Sequence, residues 1–138
     1  MPRYVVEKLA EGLSDWLGQS LKGARVLVVG VAYKKNVDDT RGSASLKIID
    51  LLQKRGAEVC YHDPFVPVIP ETREHPSLQG MRSEPWEEAL FQRVDATIIL
   101  TDHDQVGYQQ LVGKCRLVVD TRNATADLVP RPENVIKA

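Results

Sequence analysis

The sequence predicts an α/β domain, a doubly wound and mainly parallel sheet of about five strands preceded by an N-terminal helix. Three observations predict it. Val26, Leu27, Val28 and Val29 form an uninterrupted apolar run, as expected of a central strand covered by helices on both faces. Short apolar runs of this kind alternate along the chain with segments of helical spacing. Each run also empties directly into polar residues, which parallel α/β folds gather along one edge of the sheet.

The elements follow in order. Residues 3–17 carry Val5, Val6, Leu9, Leu13, Trp16 and Leu17 along one helical stripe, which Gly18 ends. Lys22 and Gly23 turn the chain into a first strand over 25–29. Ser43 is the expected N-cap of a helix running to Lys54 with Leu46, Ile49 and Leu52 facing inward, and Gly56 is its stop. Residues 57–61 form strand two, halted by Asp63 and Pro64. A proline-rich connection over 64–83 follows, and Pro85 is expected to start a short helix over 86–90. Residues 95–100 form strand three, 104–111 a short helix, and 116–119 strand four. Asn134, Val135 and Ile136 suggest a fifth strand at the edge.

Composition excludes several function classes. With 138 residues the chain is one domain with a single core. Its 18 basic and 19 acidic residues leave a net charge of −1, and no basic run exceeds Lys34-Lys35, so no nucleic-acid footprint is present. No apolar run approaches the ~20 residues of a membrane span, and the N-terminus lacks a signal-peptide layout. A cytoplasmic location is the expectation. Cys60 and Cys115 sit far apart in apolar runs and are expected to be buried, reduced thiols rather than nucleophiles or metal ligands.

The first strand-to-helix turn, residues 30–41, is the most informative segment. A dinucleotide-binding turn would read G-x-G-x-x-G here, but Gly30 is followed by Val31, Ala32, Tyr33 and Lys34. Lys34 or Lys35 offers a cation to an anionic ligand, unless the pair is simply solvated. Tyr33 offers a flat face to a base or sugar. Arg41, close to a helix N-terminus, either joins an anion site or forms a salt bridge with Asp38 or Asp39. Arg122, in Val119-Asp120-Thr121-Arg122-Asn123, either presents a cation at the sheet edge or pairs with Asp120. Asp63 stands where a Rossmann domain holds a ribose, although without the glycines it reads better as a turn residue. His103 lacks a nucleophile beside it and suits turn capping or ligand contact. No metal site is expected from Asp102 and Asp104.

These motifs, taken together and in this order, resemble the C-terminal, UDP-binding domain of the UDP-glucose/GDP-mannose dehydrogenase family. Within it the resemblance is to enzymes that oxidise UDP-N-acetyl-hexosamines, the mannosamine and glucosamine 6-dehydrogenases. It spans nearly the whole chain, through Pro2-Arg3-Tyr4-Val5-Val6, G-V-A-Y-K-x-x-V-D-D-x-R from Gly30 to Arg41, Ala44 to Leu52 with Gly56-Ala57, Tyr61-His62-Asp63-Pro64, Thr101-Asp102-His103 and the Arg122 turn. The resemblance implies a Rossmann-like domain of an NAD-dependent enzyme. Such an enzyme oxidises the sugar C6 alcohol to a carboxylate through a thioester on a catalytic cysteine, and works as a homodimer. It implies that Tyr33, Lys34 and Arg122 contact the UDP-sugar and that Arg41 reaches the NAD, which a separate domain holds.

Some features depart from the family pattern. Gly42 stands where Glu is usual and Lys35-Asn36 where Pro-Asp is common, so a looser turn is expected. No G-x-G-x-x-G and no G-G-x-C catalytic cysteine are present, and neither Cys60 nor Cys115 matches one. Met1 aligns with an internal methionine, which suggests a truncated chain or a split gene product. Residues 1–20 are then the end of a helix leading from a central domain, and 21–138 the UDP-sugar-binding domain, expected to be inactive alone. The alternative is a non-enzymatic docking module that associates through the apolar face of its N-terminal helix.

Overall fold

A computed structural model describes residues 2–138. Met1, at which the likeness to an internal methionine was drawn, lies outside them. Five strands, β1 (Arg25–Val29), β2 (Glu58–His62), β3 (Ala96–Ile99), β4 (Val118–Asp120) and β5 (Val135–Lys137), form one sheet in the order β2-β1-β3-β4-β5. Every pairing is parallel, as the sequence predicts.

Side-chain alternation divides the core into two layers. Val26, Val28, Ile98 and Val119 point to the face covered by α1 (Pro2–Leu17) and α2 (Ala44–Lys54). Leu27, Val29, Ile99 and Val118 point to the face covered by α3 (Glu88–Arg93) and α4 (Tyr108–Lys114). Ser43 caps α2 as expected, its Oγ accepting from the Ser45 N–H at 3.1 Å.

The N-terminal helix is part of this core. Val5, Leu9 and Leu13 are wholly buried and Val6 nearly so, and Gly12 lets the helix approach Ile136 and Leu117 closely. The apolar face required by the docking alternative is therefore covered by the sheet. Of the stripe residues, Trp16 is left largely exposed at the end of the helix.

Both short helices start later than their sequence signals. The first begins at Glu88 rather than at Trp86, because the preceding segment runs along the β2 edge. There the Glu84 N–H donates to the Tyr61 carbonyl at 2.8 Å, and the Trp86 ring packs on His62 and Phe91. The second begins at Tyr108 rather than near Asp104, because Asp104 is engaged by Asn36 and Val106 is buried in the core. Cys115 lies at the C-terminus of α4 and not in a strand, its N–H donating to the Leu111 carbonyl.

Candidate functional site

The C-terminal ends of β1, β2, β3 and β4 bring four polar turns to one edge, as the parallel topology requires. The sheet order changes direction at β1 and β3, where doubly wound folds keep a ligand crevice. Here that crevice is closed. Gly30, at φ +90°, lies so close to the strand-three turn that a Cβ on it would stand 2.6 Å from the Thr101 carbonyl oxygen. The Thr101 hydroxyl donates to the Ala32 carbonyl at 2.8 Å.

Asp63 fills the place left between the turns. Its wholly buried carboxylate accepts the N–H groups of Val31 at 2.8 Å and Ala32 at 3.2 Å through Oδ2, and that of Phe65 at 2.8 Å through Oδ1. Consecutive free amides after a first strand are an anion-binding nest. In this chain a carboxylate of the chain itself occupies the nest. The same oxygen faces His103 Nε2 at 2.9 Å, and His103 Nδ1 accepts the Asn36 N–H at 2.7 Å. Asp63 is thus a buried hub, a role beyond the simple turn residue suggested by its neighbour Pro64.

Beyond the nest the turn faces outward. Tyr33 is 58% exposed, and its N–H donates to the Asp39 carbonyl at 2.6 Å. Lys35 pairs with Asp104 at 3.2 Å. Among the described residues, no hydrogen bond or ion pair engages Lys34. Of the two adjacent lysines, Lys34 is therefore the one left available. Hydrogen bonds from Asn36 and Lys35, with the charge on Lys35, hold the Asp104 carboxyl below its ordinary range.

Arg41 takes the intramolecular alternative in this structure. Its Nε and Nη2 donate to the two carboxylate oxygens of Asp39 at 3.1 and 3.0 Å. This pair lowers Asp39 and raises Arg41 from their ordinary values, chiefly through the hydrogen bonds. The Arg41 side chain stays 90% exposed and borders an open groove of about 870 Å³ between the start of α2 and residues 70–75. Gly42 has φ +73°, and the Tyr33 ring lies against it, 3.5 Å from where a Cβ would be. A glutamate there would have to adopt this left-handed backbone, so the local path is one that glycine permits.

Arg122 does not pair with the Asp120 carboxylate through its side chain. Its Nε donates to the Leu100 carbonyl at 2.9 Å, which anchors it to the turn that follows β3. Asp120 serves the backbone instead, accepting the N–H groups of Arg122, Ala124 and Thr125 and the Thr125 hydroxyl. Burial pushes the Asp120 carboxyl up, but the bonds from Thr125, Arg122 and Ala124 outweigh it and leave it below its ordinary value. Lys137 Nζ completes the arrangement with contacts to Asp120, Asn123 and Thr125. Arg122 and Lys137 flank an open cleft of about 490 Å³.

Sequence reasoning placed Tyr33, Lys34, Arg41 and Arg122 on this edge, and the structure carries all four there. It missed the linkage of Asp63, His103 and Asn36, and it missed Lys137. The usable signal was position, since polar residues directly after buried strands have nearby backbone amides to satisfy. Among the described residues, no group of three or more His, Cys, Asp or Glu stands together as a metal site. No described helix is long and apolar enough to cross a membrane.

Residues 27–127 match the family model described as "UDP-glucose/GDP-mannose dehydrogenase family, UDP binding domain". UDP-glucose 6-dehydrogenase TuaD of Bacillus subtilis is 33% identical over 127 residues, covering 87% of this chain and 25% of that protein. UDP-N-acetyl-D-mannosamine dehydrogenase of Pyrococcus horikoshii is 32% identical over 129 residues, covering 89% of this chain and 27% of that protein. Among solved structures, the UDP-D-ManNAc dehydrogenase of Pyrococcus horikoshii superposes with a TM-score of 0.73 at 25% identity, over 99% of this chain and 29% of the other. A UDP-glucose dehydrogenase from Pyrobaculum islandicum gives 0.64 at 30% identity, over 99% and 28%. The chain spans about a quarter of the length of the curated relatives it matches.

Proposed function

We propose, because the chain belongs to the UDP-glucose/GDP-mannose dehydrogenase family and matches its UDP-binding domain, that its C-terminal sheet edge binds the nucleotide end of a UDP-sugar through Tyr33, Lys34 and Arg122. One observation carries this reading. Lys34 has no partner among the described residues, and Arg122 is anchored by Nε alone with its remaining N–H groups directed to no described acceptor. A diphosphate brings about two negative charges and suits two such cations, because charge-assisted hydrogen bonds are the strong ones. The Tyr33 ring offers a flat face to the uracil or ribose.

The residues present do not fit a dinucleotide on their own, since the Asp63 carboxylate fills the nest that would receive a pyrophosphate. In the reading proposed here, NAD is held mainly by a part of a larger protein outside this chain, and Arg41 meets it from this side after leaving Asp39. That larger protein oxidises the sugar C6 alcohol to a carboxylate and works as a homodimer. The 138-residue chain by itself binds without turnover.

Calorimetry with UDP tests the proposal. The expected result is a dissociation constant of roughly 0.1–1 mM, as suits part of a cleft, with uridine giving no heat because it lacks the diphosphate. Absence of heat from UDP at millimolar concentration overturns it.

A further inference from the structure

We propose that His103 is a positioning residue, whose Nδ1 lone pair fixes the left-handed Asn36 and thereby sets how the turn presents Tyr33 and Lys34. The proposal rests on the reading of that turn as the UDP site, but its own test can be read without ligand.

Asn36 has φ +62°. Asparagine enters this left-handed region more readily than other L-residues but still at some cost, so contacts that hold it there fix the path of the turn. Four interactions surround it. The Asn36 side chain and the Asp104 amide and carboxylate pair reciprocally, and Lys35 joins the same carboxylate, all at the exposed surface. Water competes with each of these. The fourth, from the Asn36 N–H to His103 Nδ1 at 2.7 Å, ends on a ring with no exposed surface.

The ring is fixed for this purpose. Nδ1 accepts from a backbone N–H, so Nε2 carries the proton and donates to Asp63 Oδ2. Phe65 packs on the imidazole with centroids 4.8 Å apart, and the Tyr108 hydroxyl donates to the His103 carbonyl at 3.0 Å. Asp63 meanwhile holds the N–H groups of Val31 and Ala32. One carboxylate–imidazole unit therefore grips the turn at residues 31–32 and again at 36. The exposed residues Tyr33, Lys34 and Lys35 are the span between the two grips. A span fixed in this way loses less freedom when it takes a ligand.

Two substitutions separate the two nitrogens. In His103→Asn the side-chain carbonyl stands near the Nδ1 position and can accept from Asn36, while Asp63 loses its donor. In His103→Gln the amide N–H stands near the Nε2 position and can serve Asp63, while Asn36 loses its acceptor. Hydrogen exchange of the Asn36 amide and calorimetry with UDP are measured on the 138-residue chain. The expected result for Gln is exchange about tenfold faster at Asn36 and UDP binding about five- to tenfold weaker. For Asn both stay within about twofold of wild type, even where thermal stability falls. Unchanged Asn36 exchange in the Gln variant overturns the proposal, as does equal weakening of UDP binding by both variants. If the wild type binds no UDP, the UDP reading fails, and Asn36 exchange still decides the positioning role. Should a variant not fold, the long-range 1H–15N spectrum of the wild-type imidazole decides instead. The Nε2–H tautomer is expected, and an Nδ1–H tautomer overturns the assignment.

Discussion

Asp63, at the end of the second strand, accepts the Val31 N–H at 2.8 Å with a carboxylate that has no exposed surface. Val31 is the first residue past Gly30, where a dinucleotide-binding fold turns its amides toward a phosphate. The carboxylate provides locally the negative charge that such a cofactor would bring. It repels a second anion from the nest and leaves anion binding to the side chains further along the turn.

The close approach at Gly30 makes that residue irreplaceable. Gly30→Ala adds a Cβ against the Thr101 backbone at φ +90°, where strain and overlap together are expected to cost about 3 kcal/mol or more. Thermal unfolding should show a midpoint lower by about 10 °C. A midpoint within a degree or two of wild type contradicts this account of the crevice.

The two adjacent lysines should behave differently. Lys34→Ala is expected to weaken UDP binding about fivefold or more, through loss of a charge-assisted bond. Lys35→Ala removes only an exposed pair with Asp104, which is worth little, and should change the affinity less than about twofold. Calorimetry on both variants reads the difference, and the reverse order would transfer the role to Lys35.

Asp120 gives a pH-dependent prediction. Its folded-state pKa lies below the ordinary 3.8, so its contribution is fully present above that value and is lost as pH falls through the lower, folded value. Asp120→Asn should therefore cost about 2 kcal/mol at neutral pH and progressively less only as the pH falls below about 3.8. Urea unfolding of both proteins at pH 7 and pH 3 should show the gap narrowing. A gap that widens on acidification would reverse the sign.

Turnover by the chain alone is not expected. Burial pushes the Cys60 thiol up to about 11, and burial raises Cys115 as well, so neither offers a thiolate at neutral pH. The purified chain, given NAD and UDP-glucose or a UDP-N-acetyl-hexosamine, should form no NADH by fluorescence. Sustained NADH formation refutes the assignment of catalysis to residues outside the chain.

The sequence by itself determined the sheet, because the apolar runs at 26–29 and 96–99 can be satisfied only between two layers of helix. It determined the α2 cap, since Ser43 needs only its own local backbone. It also placed Tyr33, Lys34, Arg41 and Arg122 at one edge, because parallel connectivity carries every post-strand turn to the same side. Tertiary structure decided what those turns do to one another. Asp104 suits a helix N-cap by residue type, yet Asn36 engages it from 68 residues away, and the helix starts at Tyr108 instead. Pro85 suits a first helical turn, yet hydrogen bonds to the edge of β2 keep its neighbours extended. Whether Lys34 or Lys35 stays free, whether Arg41 pairs with Asp38 or Asp39, and whether Asp63 faces solvent or the Val31 amide were likewise undecided until the strands aligned. Local patterns set by backbone period and capping are legible in one dimension, whereas a hydrogen bond between two turns depends on where the folded sheet brings them.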